Sequence, residues 1–177
     1  MRRARLVALG GLASVLAAGP TPTIFHSASR SAPVIERQVI ALYLGTLGTD
    51  AESGMVPAIR EMKTALTRQA TATGREFIAR GVSLEPSVDD GLRHLSLFGI
   101  FDEVSLGGNW TNSAVVRYLG GTIGGTRATA IPQVILLERE VTRDASRLEV
   151  GDEREIGRYI GTKEISTWVR GGAPLPR

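Results

Sequence analysis

Apolar residues fall into short runs and helical stripes that alternate along most of the chain. The run Val39–Leu44 is apolar at every position, which is typical of a strand buried on both faces of a sheet. A polar, glycine-rich loop follows, and then a helix is predicted from residue 55 to about residue 71. Its apolar positions recur at the spacing of one helix face: Met55, Ile59, Met62 and Leu66. Residues 75–84 predict a second strand, parallel to the first because a helix separates them.

A second helix is predicted after Ser87, whose side chain can cap it. Asp89 and Asp90 then lie in the first turn, where the helix dipole favours negative charge. His94 follows Asp90 by four residues, which predicts a solvated Asp–His pair on the helix surface. The apolar residues of this segment predict its buried face: Val88, Leu92, Leu95 and Phe98.

The last third of the chain predicts two strands and a helix. Residues 131–137 form the clearest apolar run there, and residues 153–160 suit an antiparallel partner. Thr162 is predicted to cap a final helix, which ends before Gly171.

The first 36 residues have a different composition from the rest. Arg2, Arg3 and Arg5 precede fourteen uncharged residues, Leu6–Gly19, which is the pattern of a secretory signal. An uncleaved membrane anchor is the alternative, although the stretch is shorter than the roughly 20 residues of a spanning helix. Residues 20–36, rich in Pro, Ser, Thr and Ala, predict a linker. We therefore expect export to the periplasm or the extracellular space.

Charge and cysteine content exclude several classes of function. The chain has 21 basic and 18 acidic residues, and removal of residues 1–19 leaves 18 of each, so the mature part is neutral. A neutral domain argues against nucleic-acid binding, which needs a basic face. The chain has no cysteine, which excludes disulfides, thiolate metal sites and thiol catalysis. Two isolated histidines predict no metal site, and we expect no cofactor.

Three local features resemble the thioredoxin family. An apolar strand leads through a short loop into a helix with Pro57 near its start. The segment Ala130-Ile-Pro-Gln133 before an apolar strand is similar to the family's cis-proline turn. Residues 158–169 are similar to the glycine-containing turn and final helix that close the fold. The resemblance covers about residues 37–170, with an insertion around residues 99–128 and a tail at 171–177. It implies an α/β three-layer sandwich with a mixed central sheet and helices on both faces.

The resemblance also locates where thiol chemistry is absent. Counting back from Pro57 by the family's spacing places its two cysteines at Thr49 and Glu52, where this chain reads Thr-Asp-Ala-Glu. Thiol–disulfide exchange needs a thiolate and a second sulfur, and this segment supplies neither. We therefore predict no catalytic residues for redox chemistry.

The family's groove for extended peptides implies a candidate binding surface. Its predicted residues are Thr49, Asp50, Ala51, Glu52, Ile131 and Pro132. The expected partner is an envelope protein or an extended peptide, with membrane contact only through an uncleaved N-terminus. A competing interpretation is that Asp50 and Glu52 only cap the helix that follows. The alternative function is a small-thiol-dependent enzyme, similar to glutathione transferases, that uses Thr49.

Overall fold

A computed structural model describes residues 32–50, 54–119, 122–123, 126–127, 130–144 and 147–176. The strands are β1 Val34–Gly45, β2 Glu76–Ser83, β3 Glu103–Ser105, β4 Thr122–Ile123, β5 Thr126–Arg127, β6 Gln133–Arg143, β7 Leu148–Val150 and β8 Arg154–Ile160. The helices are α1 Leu47–Asp50, α2 Met55–Ala72, α3 Val88–Ser96, α4 Ser113–Leu119 and α5 Gly161–Arg170, with a 3₁₀ turn at Asn109–Thr111. Within these ranges, no helix has both the length and the apolar character needed to cross a membrane.

The main sheet has β1 at its centre. Its order is β3-β2-β1-β6, and β7 and β8 both pair with the far side of β6. β1 is parallel to β2, and β2 is parallel to β3, whereas β6 is antiparallel to both β1 and β8. The sheet is therefore mixed, as the resemblance implied. β4 and β5 form a separate two-stranded hairpin.

β1 is buried on both faces because its apolar run fills two cores. All residues from Val39 to Leu44 are completely inaccessible to solvent. Ala41 and Tyr43 point into one core, and Ile40, Leu42 and Leu44 point into the other. This alternation is the two-residue period of a strand. The sequence prediction of a doubly buried strand is confirmed.

The path of the chain explains which helices lie on each face. From β1 to β2 to β3 the chain advances in one direction, so right-handed crossovers place α2 and α3 on the same face. The chain then returns to the other side of β1 to form β6, and α4 packs on the opposite face. α5 joins α2 in the first core through Ile165, Trp168 and Val169. The result has three layers, with helices on both faces of the sheet.

α2 agrees closely with its predicted pattern. Met55, Ile59, Met62 and Leu66 are all completely buried. Pro57 is the third residue of the helix, where it has no intrahelical donor to lose.

α3 has the predicted cap but not the predicted buried face. Ser87 accepts a hydrogen bond from the Asp90 N–H at 3.1 Å, as expected of an N-cap. Val88 and Leu92 are half-exposed, whereas Gly91 and His94 are buried together with Leu95 and Phe98. The reason is close packing at Gly91, where a Cβ would lie 3.1 Å from the Leu106 side chain. The side of α3 that packs on the sheet therefore carries Gly91 and His94, which a pattern of apolar residues does not indicate.

The C-terminal end also differs from the prediction. α5 begins at Gly161, so Thr162 lies inside the helix, and the Glu164 carboxylate accepts the Ile160 N–H at 2.9 Å. The residues after α5, predicted to be a tail, pack against the first core. Ala173 is completely buried, and Leu175 lies against the same core.

Candidate functional site

The carboxyl ends of β1, β2 and β3 meet the start of β6 at one edge of the sheet. Leu44, near the end of β1, pairs with Gln133, the first residue of β6. Gly45 pairs with Ser83 at the end of β2. In α/β proteins this is the edge where ligands bind, at the point where the strand order reverses.

The Ile131–Pro132 peptide bond at this edge is cis. The Pro132 carbonyl accepts the Gly161 N–H at 2.8 Å, which joins the start of β6 to the end of β8. Pro132 is buried, and Ile131 is half-buried against the second core. Among the described residues, neither the N–H nor the C=O of Ile131 has a hydrogen-bond partner. This leaves a main-chain donor and acceptor at the rim of the edge.

The other predicted site residues follow β1 at the same edge. The backbones of Thr49 and Asp50 form the end of α1, but their side chains lie outside the described part of the chain, as do Ala51 and Glu52. The structure thus brings α1 and the cis-proline turn to one edge. The binding role of these six residues stays a prediction.

Glu85 holds α1 in place, a role that the sequence analysis missed. Its Oε1 accepts the Leu47 N–H at 2.8 Å and the Thr46 hydroxyl at 2.6 Å. The hydrogen bond from the Leu47 N–H, followed by that from Thr46, lowers the pKa of Glu85, and a carboxylate at a helix start suits the helix dipole. The only local sequence signal is an acid directly after an apolar strand.

A buried Ser–His pair lies under this edge. Ser83 Oγ and His94 Nδ1 are 3.0 Å apart, and both residues are completely buried. The His94 ring packs against Phe98 at 5.4 Å and Tyr43 at 6.0 Å between ring centroids. The predicted solvated pair of Asp90 with His94 is therefore wrong, and Asp90 binds Arg93 instead.

The Ser83–His94 distance is that of a nucleophile and its base. Complete burial of both side chains, however, denies any substrate access to the hydroxyl. The pair satisfies two polar groups in the interior, as buried polar groups require. It stabilises α3 against β2 and offers no catalytic surface.

An ionic network lies on the second face of the sheet, level with residues 38–42 of β1. Arg80 binds both Glu103 and Glu153, and Arg139 binds the same two carboxylates. Tyr118 on α4 donates to Glu153 and accepts from Arg80. A surface cleft of about 340 Å³ opens beside it, between the sheet and α4. The network joins four elements and the loop before β8. Its members are far apart in the sequence, and the one local signal is Arg80, a charged residue inside an apolar strand.

Three features decide the fold. The strand order is β2-β1-β6-β8, a cis-proline precedes β6, and α5 packs on the same face of the sheet as α2. The chain has a thioredoxin-like fold. It lacks the cysteines of that family, since it contains none at all. The described residues also contain no group of three or more His, Asp or Glu side chains that could hold a metal ion.

No protein-family model matches the chain, and no curated protein sequence matches it. Among solved structures, a thioredoxin-like protein from Bacteroides caccae is similar, with 15% identity and a TM-score of 0.42. That alignment covers 75% of this chain and 39% of the other, so the chain spans about two-fifths of that structure.

Two further structures are similar at comparable levels. One is a thiol:disulfide interchange protein of the thioredoxin family from Chlorobium tepidum, with 17% identity, a TM-score of 0.36, and 78% of this chain and 81% of the other covered. The other is a member of the Sco family of cytochrome c oxidase assembly proteins, with 12% identity and a TM-score of 0.34. That alignment covers 77% of this chain and 80% of the other.

Proposed function

We propose that this protein is an exported, non-redox thioredoxin-like domain that binds an extended segment of another protein at the cis-proline edge. The observation that carries the proposal is the main chain of Ile131, whose N–H and C=O have no hydrogen-bond partner in the described part of the chain and which lies at the same edge as α1. An extended peptide that lies along this edge can donate to the Ile131 carbonyl and accept from its N–H. Recognition of this kind uses the backbone of the partner and needs no thiol.

The absence of cysteine supports binding without turnover. A thiol–disulfide exchange enzyme releases its partner when the mixed disulfide is resolved. A chain without sulfur nucleophiles forms no such intermediate, so its complex is governed by affinity alone. The domain then acts as a scaffold or a carrier rather than as an oxidoreductase.

The test uses a pair of peptides that differ only in backbone donors. The first is the extended probe acetyl-Lys-Val-Thr-Val-Thr-Val-Lys-amide, and the second carries N-methyl groups on alternate residues of the same sequence. With the full-length protein, we expect the first to shift the NMR signal of the Ile131 amide, and the second to bind at least about tenfold more weakly. Equal binding of the two peptides, or an unmoved Ile131 signal at saturation, would overturn the proposal.

The alternative, a small-thiol-dependent enzyme that uses Thr49, is tested in parallel. Under the binding proposal, glutathione with chlorodinitrobenzene gives no turnover above the uncatalysed rate. Turnover that disappears in Thr49→Val but persists in Thr64→Val, a change on the exposed side of α2, would replace the binding function with the enzymatic one.

Export is the second part of the proposal, and it rests on the basic and apolar pattern of residues 2–19. Mass spectrometry of the protein from its native host is expected to find a mature N-terminus between residues 18 and 34. An intact Met1 in the membrane fraction would contradict cleavage and favour an anchor.

A further inference from the structure

We propose that the partner also docks on an acidic and apolar surface beside the cis-proline edge, through an apolar residue flanked by Arg or Lys. This surface consists of Glu85, Val88, Asp89, Leu92 and Trp110, and we name it the α3–Trp110 surface. The inference rests on the proposed function, because the same extended segment would occupy both places.

Three large apolar side chains are half-exposed in this surface. The exposed fractions are 53% for Val88, 50% for Leu92 and 51% for Trp110. Val88 and Leu92 are one helical turn apart and share a side of α3. Val88 also touches the loop that carries Trp110, since a Cβ on Gly107 would lie 3.3 Å from Val88 Cγ2. Grouped exposed apolar residues mark interaction sites, and Trp is enriched among residues that dominate binding.

The loop holds Trp110 outward by an unusual backbone. Gly107, Gly108 and Asn109 have φ angles of 73°, 74° and 49°, so three consecutive residues are left-handed. Two of them are glycines, and asparagine is among the residues that tolerate this region. The sequence of the loop therefore favours this backbone conformation.

Hydrogen bonds lock the same loop before any partner arrives. The Gly108 N–H donates to the Pro86 carbonyl at 3.1 Å, and Asn112 Nδ2 donates to the Gly107 carbonyl at 2.9 Å. The Thr111 hydroxyl donates to the Gly108 carbonyl at 2.6 Å. A preordered loop lowers the entropic cost of binding.

Three carboxylates and one arginine lie beside these apolar residues, which leaves an acidic excess: Glu85, Asp89, Asp90 and Arg93. Glu85 and Asp89 both flank Val88, and hydrogen bonds from Leu47 and Thr46 keep Glu85 in its charged form. Asp90 is compensated by Arg93 at 2.8 Å, while Asp89 has no ion pair with any residue that the structure describes. A complementary partner therefore carries positive charge beside its apolar residue.

The α3–Trp110 surface is continuous with the cis-proline edge. Glu85 holds Thr46 and Leu47 at the end of β1, and the adjacent Pro86 carbonyl holds the Trp110 loop. The loops that follow β1, β2 and β3 are thus joined along one edge. A single extended segment can follow this edge from Ile131 to Trp110.

Three probe peptides test the chemistry of the partner: acetyl-Arg-Leu-Val-Leu-Arg-amide, acetyl-Glu-Leu-Val-Leu-Glu-amide and acetyl-Arg-Ser-Gly-Ser-Arg-amide. Titrated into the full-length protein, the first is expected to bind about tenfold more tightly than either of the others. Equal affinity of all three would overturn the α3–Trp110 surface as a docking site.

Variants test the location. Val88→Ser and Asp89→Asn are expected to weaken the first peptide by roughly fivefold and threefold, and Asp89→Asn also to reduce the salt dependence of binding. Val116→Ser is the matched control, because Val116 is 57% exposed on α4, outside the surface. An equal loss in Val88→Ser and Val116→Ser contradicts the inference, provided that circular dichroism shows all variants folded.

Two NMR signals separate this inference from the proposed function. The indole N–H of Trp110 reports the α3–Trp110 surface, and the Ile131 amide reports the cis-proline edge. If Ile131 shifts and Trp110 does not, the surface is refuted while the proposed function stands. If Trp110 shifts and Ile131 does not, the proposed function fails, and with it the continuous path from Ile131 to Trp110.

Discussion

The Glu153 carboxylate is nearly buried and binds three arginines as well as Tyr118. Burial alone would raise the pKa of Glu153, but hydrogen bonds from Arg80 and Tyr118 and the charges of Arg80 and Arg117 bring it below its usual value. Burial, together with its hydrogen bond to Glu153, raises the pKa of Tyr118 to about 12. Glu153 therefore stays charged and Tyr118 stays neutral at physiological pH, so the hydroxyl of Tyr118 keeps its hydrogen bond to the Glu153 carboxylate.

The substitution Glu153→Gln is expected to lower the free energy of unfolding by roughly 3 kcal/mol, because it removes one of the two carboxylates that the buried guanidinium groups of Arg80 and Arg139 share. The matched control is Glu140→Gln. Glu140 pairs with Arg37 at 3.1 Å, but both side chains are more than half exposed, so we expect a loss below about 0.5 kcal/mol. Urea unfolding measures both, and comparable losses in the two variants would refute a special role for the network.

Acid should weaken the protein through the same network. Burial opposes ionisation of Glu103, but its hydrogen bonds to Arg139 and Arg80 prevail, so the folded pKa values of both Glu103 and Glu153 are lowered. Their contribution to stability is therefore complete above the unfolded value of about 4.3, and is lost as the pH falls through the folded pKa values. Unfolding free energies measured from about pH 6 down to pH 3 are expected to fall less steeply in Glu153→Gln than in the wild type. Parallel curves would contradict this assignment.

Elements whose pattern is local could be predicted, and those that depend on a neighbour could not. The apolar run of β1 and the apolar stripe of α2 indicate by themselves which side chains are buried, so the burial of both could be predicted. α3 could not be, because its buried face depends on Gly91 and His94 and on the Leu106 side chain that meets Gly91. The ionic network and the contact of Glu85 with α1 were missed for the same reason, since their members come from distant elements.

Alanine substitutions of two glycines, Gly81 in β2 and Gly48 in α1, are expected to have different effects on stability. A Cβ on Gly81 in β2 would lie 2.7 Å from Leu95 Cδ1 and 3.1 Å from the Phe101 ring, so Gly81→Ala requires these packed side chains of the first core to move. We expect a loss of about 1–3 kcal/mol. Gly48→Ala in α1 meets no atom within 4 Å, and alanine favours helix, so we expect no loss of stability. Thermal unfolding compares the two; an unaffected Gly81→Ala would mean that α3 is not packed as described.

The whole molecule follows the predicted fold class but closes differently at its C-terminus. The cis-proline turn, the mixed sheet and the helices on both faces were implied by the resemblance. The packing of the last residues was not, because a short segment with two glycines and two prolines carries no periodic pattern. Contacts with α2, about a hundred residues earlier in the chain, order this segment.

Removal of residues 171–177 is therefore expected to lower the free energy of unfolding of the whole domain. Gln69 on α2 donates to the Ala173 carbonyl at 3.0 Å and accepts the Leu175 N–H at 3.0 Å, while the Trp168 indole donates to the Pro174 carbonyl at 3.1 Å. The truncation also uncovers the core beneath Ala173 and Leu175. We expect a loss of about 3 kcal/mol from burial and hydrogen bonds together.

Gln69→Ala separates the two contributions, since it removes the hydrogen bonds of Gln69 and leaves the apolar contacts of the segment in place. It should lower the free energy of unfolding by only about 1 kcal/mol. Urea unfolding and the Trp168 emission wavelength measure both changes. If the truncated chain is as stable as Gln69→Ala, the apolar contacts add nothing and the domain ends at α5. If it is less stable by the expected margin, the last residues complete the core that α2 and α5 share, and the rigid frame behind the cis-proline edge includes them.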